Sequence, residues 1–94
     1  MGSLALSSVP HAVSVRCTDD ELIVSLNDGR VLSVPLVWFP RLAHATPEQL
    51  AEYELLGRGE GIHWPSVDED ISIVGLLEGR ASVEYQETNG PTRR

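Results

Sequence analysis

A chain of 94 residues with a net charge of −7, whose 7 Lys+Arg are all arginine, suits one small domain and argues against backbone-driven DNA binding, which needs a basic face. No apolar run approaches the ~18 residues that cross a bilayer, and a single cysteine, Cys17, excludes an internal disulfide and a multi-cysteine zinc site. The first residues lack a basic segment followed by a continuous apolar stretch, so no secretory signal is expected and the expected location is cytoplasmic.

Residues 1–10 are small and weakly patterned and are expected to form an N-terminal arm. Ala12 to Cys17 then alternates, with Val13, Val15 and Cys17 on one face and Ser14 and Arg16 on the other, the signature of a half-buried strand. The alternation reads Cys17 as a buried, inert thiol. Thr18-Asp19-Asp20-Glu21 makes a polar turn, its side chains suited to local backbone donors.

Leu22–Leu26 and Arg30–Leu36 form the clearest hairpin. A two-residue Asp28-Gly29 loop would mix apolar and polar side chains on both faces. A three-residue Asn27-Asp28-Gly29 loop, with Gly29 left-handed, pairs Leu26 with Arg30. It gathers Leu22, Val24 and Leu26 beside Leu32, Val34 and Leu36 on one face, and is the predicted register. Pro35 should end the strand, because proline removes a ladder donor. Leu36 to Phe39 then forms an irregular or short helical connection, partly packed on the sheet.

Thr46-Pro47-Glu48-Gln49 predicts a helix start: Thr46 caps, Pro47 fits the first helical position and Gln49 completes a capping box. This helix is expected to run through Leu50, Tyr53, Leu55 and Leu56, and to stop at Gly57. Gly57-Arg58-Gly59-Glu60-Gly61 follows a helix instead of a strand and contains no lysine, so it reads as a reversing turn and not a phosphate cradle. Ile62-His63-Trp64 should be extended up to Pro65, Ser66 to Asp70 a polar turn, and Ile71 to Leu77 the closing element near Gly79. The domain is thus expected over 11–79 and a disordered tail over 80–94. The implied fold class is α+β: a small antiparallel sheet of about three to five strands with one main helix packed on it.

The densest chemistry lies at His63, Trp64, Asp68, Glu69 and Asp70. One histidine near sequential carboxylates can serve a metal or an acid–base pair. Yet adjacent carboxylates cannot all point one way, and His11 and His44 show no ligand spacing. The structural alternative has Asp68 or Asp70 accepting backbone donors in the turn and holding His63. Trp64 and Trp38 can line a groove for a partner or fill a core with few other aromatics. No Ser-His-Asp set, Cys-His pair or nucleotide fingerprint is present, so no catalytic residues are assigned and an enzyme is not expected.

Leu26-Asn27-Asp28-Gly29-Arg30, Val34-Pro35-Leu36, Trp38-Phe39-Pro40-Arg41-Leu42, Ala45-Thr46-Pro47-Glu48-Gln49 and Gly61-Ile62-His63-Trp64-Pro65 with Val67 and Asp68-Glu69-Asp70-Ile71 occur in this order. Together they resemble a family of small bacterial proteins known as domain of unknown function 2442. The resemblance spans about Val13 to Leu77. Leu50 departs from it, standing where relatives commonly carry arginine. The resemblance implies a compact α+β domain, an antitoxin-like partnership with a small protein encoded nearby, and no known catalytic residues. Any DNA binding by relatives belongs to an added helix-turn-helix domain that does not fit in this chain.

The leading expectation is therefore a non-enzymatic domain that binds another small protein or itself, without nucleic acid, membrane or cofactor. Its contact surface is expected to include Trp38, Arg41, His63, Trp64, Asp68 and Asp70. The second expectation is a small-ligand or metal-binding module centred on His63 and the acidic turn 68–70. A third is a self-associating domain, since a small open sheet leaves edges to cover.

Overall fold

The fold is described from a computed structural model over residues 9–83, 85 and 86. The expected arm up to residue 8, and tail residues 84 and 87–94, lie outside the described residues. Two three-stranded antiparallel sheets form the frame. The first contains β1 (Ala12–Cys17), β2 (Glu21–Leu26) and β3 (Val31–Pro35), in that order. The second contains β4 (Glu54–Leu56), β5 (Gly61–Trp64) and β6 (Glu69–Ser72), also in order. Between them run a 3-10 turn (Leu36–Trp38) and helices α1 (Pro40–Ala43) and α2 (Pro47–Ala51); α3 (Ile73–Leu77) follows β6. Among the described residues, no helix is long and apolar enough to cross a membrane.

The α+β class holds, but the expected arrangement of one sheet under one main helix is corrected: the described residues form two three-stranded sheets joined by several short helices. The misplaced boundary is the end of α2. The predicted helix through Leu56 stops at Ala51, and Glu54–Leu56 pairs as a strand with Gly61–His63. A helix of five residues has little stability of its own. The chain gains a ladder and places Tyr53 against Trp64 instead, with ring centroids 6.4 Å apart.

The β2–β3 hairpin has the predicted register. Val24 lies opposite Leu32 and Leu22 opposite Val34. The Leu26 amide donates to the Arg30 carbonyl at 2.8 Å, and Gly29 takes φ 95°. The turn is also held by Asp28, which accepts from the Arg30 amide at 3.0 Å and from its Nε at 2.9 Å. These bonds hold the Asp28 carboxyl below its usual range.

The sheets share one core. Leu22, Val24, Leu26 and Val34 from the first sheet meet Ile62, Trp64 and Ile71 from the second, with Phe39, Leu42, Ile73 and Leu76 supplied by the helical segments. Each such side chain contributes on the order of 1.5–3 kcal/mol by leaving water. The sheets are also joined through backbone: the Ala12 amide donates to the Gly59 carbonyl at 2.7 Å. Nearby, the Val15 amide donates to Tyr53 Oη at 3.3 Å, giving an edge-strand donor a partner from the segment that leads into β4.

The α2 start is as predicted. Thr46 Oγ1 accepts from the Gln49 amide at 3.1 Å, and Gln49 Oε1 accepts from the Thr46 amide at 2.9 Å. Thr46→Ala removes one half of this box and is expected to cost about 1 kcal/mol. In a domain of this size that is a fall of roughly 4–8 °C in melting temperature, readable by circular dichroism.

Candidate functional site

The β5–β6 hairpin sorts its residues by strand alternation. His63 lies opposite Asp70, and Trp64 opposite Glu69. Successive side chains point to opposite faces, so His63 and Asp70 face outward while Trp64 and Glu69 turn inward. The three sequential carboxylates therefore diverge. Glu69 is buried, Asp70 joins His63, and Asp68 occupies the turn with φ 55°.

A positive φ at a non-glycine residue is tolerated best by Asn and Asp. Asp68 is held there by α1. Arg41 Nη1 donates to the Asp68 carbonyl at 2.8 Å and lies 3.9 Å from its carboxylate. The arginine thus ties the helix to the hairpin tip, while the Asp68 carboxylate stays open to solvent.

His63 Nδ1 donates to Asp70 Oδ1. A carboxylate can only accept, which fixes the proton on that nitrogen. The bond to Asp70 raises the imidazole above its ordinary pKa; burial opposes the rise, and the charges of Asp70, Glu54 and Asp68 add to it. Glu54 comes from β4, where it pairs directly with His63. The outer face of the second sheet thus carries a row of carboxylate, imidazole and carboxylate.

This geometry makes stability depend on pH in a definite direction. A raised folded-state pKa means the pair stabilises fully below the unfolded histidine value of about 6.5, and loses its effect as pH rises through the folded value. The melting-temperature gap between the wild type and Asp70→Asn is therefore expected to be widest near pH 6 and to close as the solution becomes alkaline. A gap that stays constant with pH would show that the two side chains are not coupled in this way.

Of the expected contact residues, Arg41, His63, Asp68 and Asp70 gather around this hairpin. Trp38 is half-buried against the core, and its carbonyl accepts from the Ser82 amide at 3.1 Å. Trp64 is 0% exposed, and its Nε1 donates to the Leu50 carbonyl at 3.1 Å. Its inclusion in a contact surface is therefore corrected: β5 alternation seals the ring under the sheet. Among the described residues, no three His, Cys, Asp or Glu side chains converge to hold a metal ion. The inward turn of Glu69 removes it from the group centred on His63.

Sequence reasoning missed a cleft of about 560 Å³ between β1 and the helices, lined by Val15, Cys17, Leu36, Leu42 and Leu50. Cys17 is half-buried there, and burial pushes its thiol pKa up. That leaves less thiolate at neutral pH and a weaker nucleophile. The hydrophobic alternation of β1 was visible in the sequence, but the apposition of β1 with α2 depends on the second sheet.

The profile of a family described as "Protein of unknown function (DUF2442)" matches residues 12–82. The chain belongs to this family. The DUF2442 match covers the two sheets and α3, so the hairpin with His63 and Asp70 lies within it. A crystal structure of a protein of unknown function from Rhodospirillum rubrum ATCC 11170 is similar, with 32% identity and a TM-score of 0.70, over 82% of this chain and 95% of that one. A solution structure of an uncharacterized protein from Chromobacterium violaceum is similar, with 28% identity and a TM-score of 0.69, over 98% of this chain and 86% of that one. No curated protein matches the chain.

Proposed function

We propose that this DUF2442 domain is a non-enzymatic bacterial, cytoplasmic interaction module that binds another small protein through the β5–β6 hairpin and α1. The observation that carries the reading is the Arg41 contact to the Asp68 carbonyl, which fixes an exposed acidic hairpin tip in a strained turn conformation. A rigid, solvent-facing charged surface favours protein recognition over turnover of a small substrate, because charges fixed in advance steer and register a partner. Asp68, Asp70 and Glu54 outnumber Arg41 and His63 there, so the complementary partner is basic. The family resemblance supports an antitoxin-like role toward the product of an adjacent gene.

Co-expression with that gene product, followed by co-purification, tests the reading. The expected result is a stable complex, weakened by Asp70→Lys or Arg41→Glu while the circular dichroism spectrum is retained. No complex, or a complex indifferent to both substitutions, overturns it.

A further inference from the structure

The register of the second sheet sets one histidine between two acids on its outer face. Glu54 of β4 lies opposite His63 of β5, and His63 opposite Asp70 of β6. The next row along this face, Leu56, Gly61 and Ser72, carries no titrating group. Toward the hairpin tip, Asp68 is held by Arg41 of α1, and Glu52 accepts from Ser66 Oγ at 3.3 Å. The His63 side chain is 26% exposed and that of Asp70 69%, so solvent reaches both. His63 Nδ1 keeps its proton for Asp70, so the proton that comes and goes is the one on Nε2. With it, the imidazolium is the counter-charge of Glu54 and Asp70. Without it, Nε2 becomes an acceptor and the two carboxylates lose that cation.

We infer that His63 is an internal competitor for the basic partner: its imidazolium occupies the field of Glu54 and Asp70, and a partner cation seated there expels the Nε2 proton to solvent. This inference rests on the partner reading proposed above and adds its regulation. Proton and partner charge draw on the same carboxylates, so each weakens the binding of the other, and by linkage they do so by the same factor. The carboxylates around His63 hold the free imidazole above its ordinary pKa, so the competing proton is present over part of the near-neutral range. A lysine or arginine in the same place would neutralise the acids at every pH; a histidine does so only while protonated. The complex is therefore tightest in mildly alkaline solution and loosens on acidification.

The test is calorimetric titration of the full chain with the product of the adjacent gene, from about pH 8.5 to about pH 5.5, a range that spans histidine ionisation and avoids that of ordinary carboxylates. At one intermediate pH the heat is compared in phosphate and in Tris, whose different ionisation heats reveal protons released on binding. The wild type should release protons, and its Kd should rise at least about fivefold across the range, the lower end of typical coupling between sites. His63→Gln should remove both the proton release and the pH dependence. His63→Arg should also be flat with pH, and weaker than His63→Gln throughout, because its charge is permanent. Circular dichroism melts check that both variants fold. A complex whose Kd is flat with pH in the wild type, or whose pH dependence persists in His63→Gln, overturns the inference and leaves the partner reading standing. No complex at any pH overturns both.

Discussion

Trp64→Ala is expected to destabilise the chain by about 3–5 kcal/mol, the usual cost of truncating a fully buried aromatic side chain. A domain of this length has on the order of 5–14 kcal/mol in total, so this one change removes a large part of it. The size of the effect comes from what Trp64 joins. Its ring lies 6.4 Å from that of Tyr53 and packs within the shared core, while its Nε1 holds the Leu50 carbonyl at the end of α2. Trp64→Phe keeps most of the apolar contact but leaves that carbonyl without its donor, and should cost about 1–3 kcal/mol. Urea denaturation measures both. A Trp38→Phe background leaves Trp64 as the lone indole, whose emission should move to longer wavelength on unfolding. If Trp64→Ala proves as mild as a surface substitution, the indole is not the joint between the two sheets.

The same residue shows how far sequence reasoning reached. His63 and Trp64 were legible as part of an extended segment, since Ile62-His63-Trp64 alternates before a proline. Their separation into outer and inner side chains requires only the strand period. Which of them is inner requires the second sheet, and that sheet was hidden by a misread boundary. Leu50, Tyr53 and Leu56 are spaced as on one helical face, and Gly57 is a natural helix stop. But Gly57, at φ 59°, serves equally well to open the turn of a β4–β5 hairpin. One left-handed residue fits both continuations. Only pairing of Leu55 with Ile62 decides between them. The β2–β3 hairpin posed no such ambiguity, because its alternation and its turn agreed on one register.

Of the site, the outward pairing of His63 with Asp70 was legible as a possibility of the turn, because seven residues and a tight reversal bring them opposite each other. The Arg41 contact was not. It connects residues 27 positions apart, and its existence depends on where α1 packs. The fall of Glu69 into the interior, which breaks up the carboxylate group, follows from the pairing of Trp64 with Glu69. Local composition had suggested a metal or acid–base centre; strand alternation turns it into a charged outer face and a buried inner one.

The second large effect is expected at Gly59, and a matched control separates its causes. Gly59 and Gly29 have almost the same backbone, φ 97° and 95°. Alanine at either position adopts a conformation that costs about 1–2 kcal/mol for a residue with a Cβ. At Gly29 that is the whole effect, because no atom lies within 4 Å of an added Cβ. At Gly59 the added Cβ would sit 2.4 Å from the Ala12 carbonyl oxygen and 3.1 Å from its nitrogen. Both contacts are backbone, so neither can yield by a rotamer change. The turn must move away from β1, which stretches or breaks the 2.7 Å bond from the Ala12 amide to the Gly59 carbonyl. That adds about 1–3 kcal/mol of steric cost and about 1 kcal/mol for the bond. Gly59→Ala should therefore be about 2–4 kcal/mol worse than Gly29→Ala in urea denaturation. The damage should also be local in kind: hydrogen exchange at the Ala12 amide should accelerate in Gly59→Ala and stay slow in Gly29→Ala. Equal losses for the two substitutions would mean that backbone conformation alone accounts for both glycines, and that the close approach of the β4–β5 turn to β1 contributes nothing to holding the sheets together.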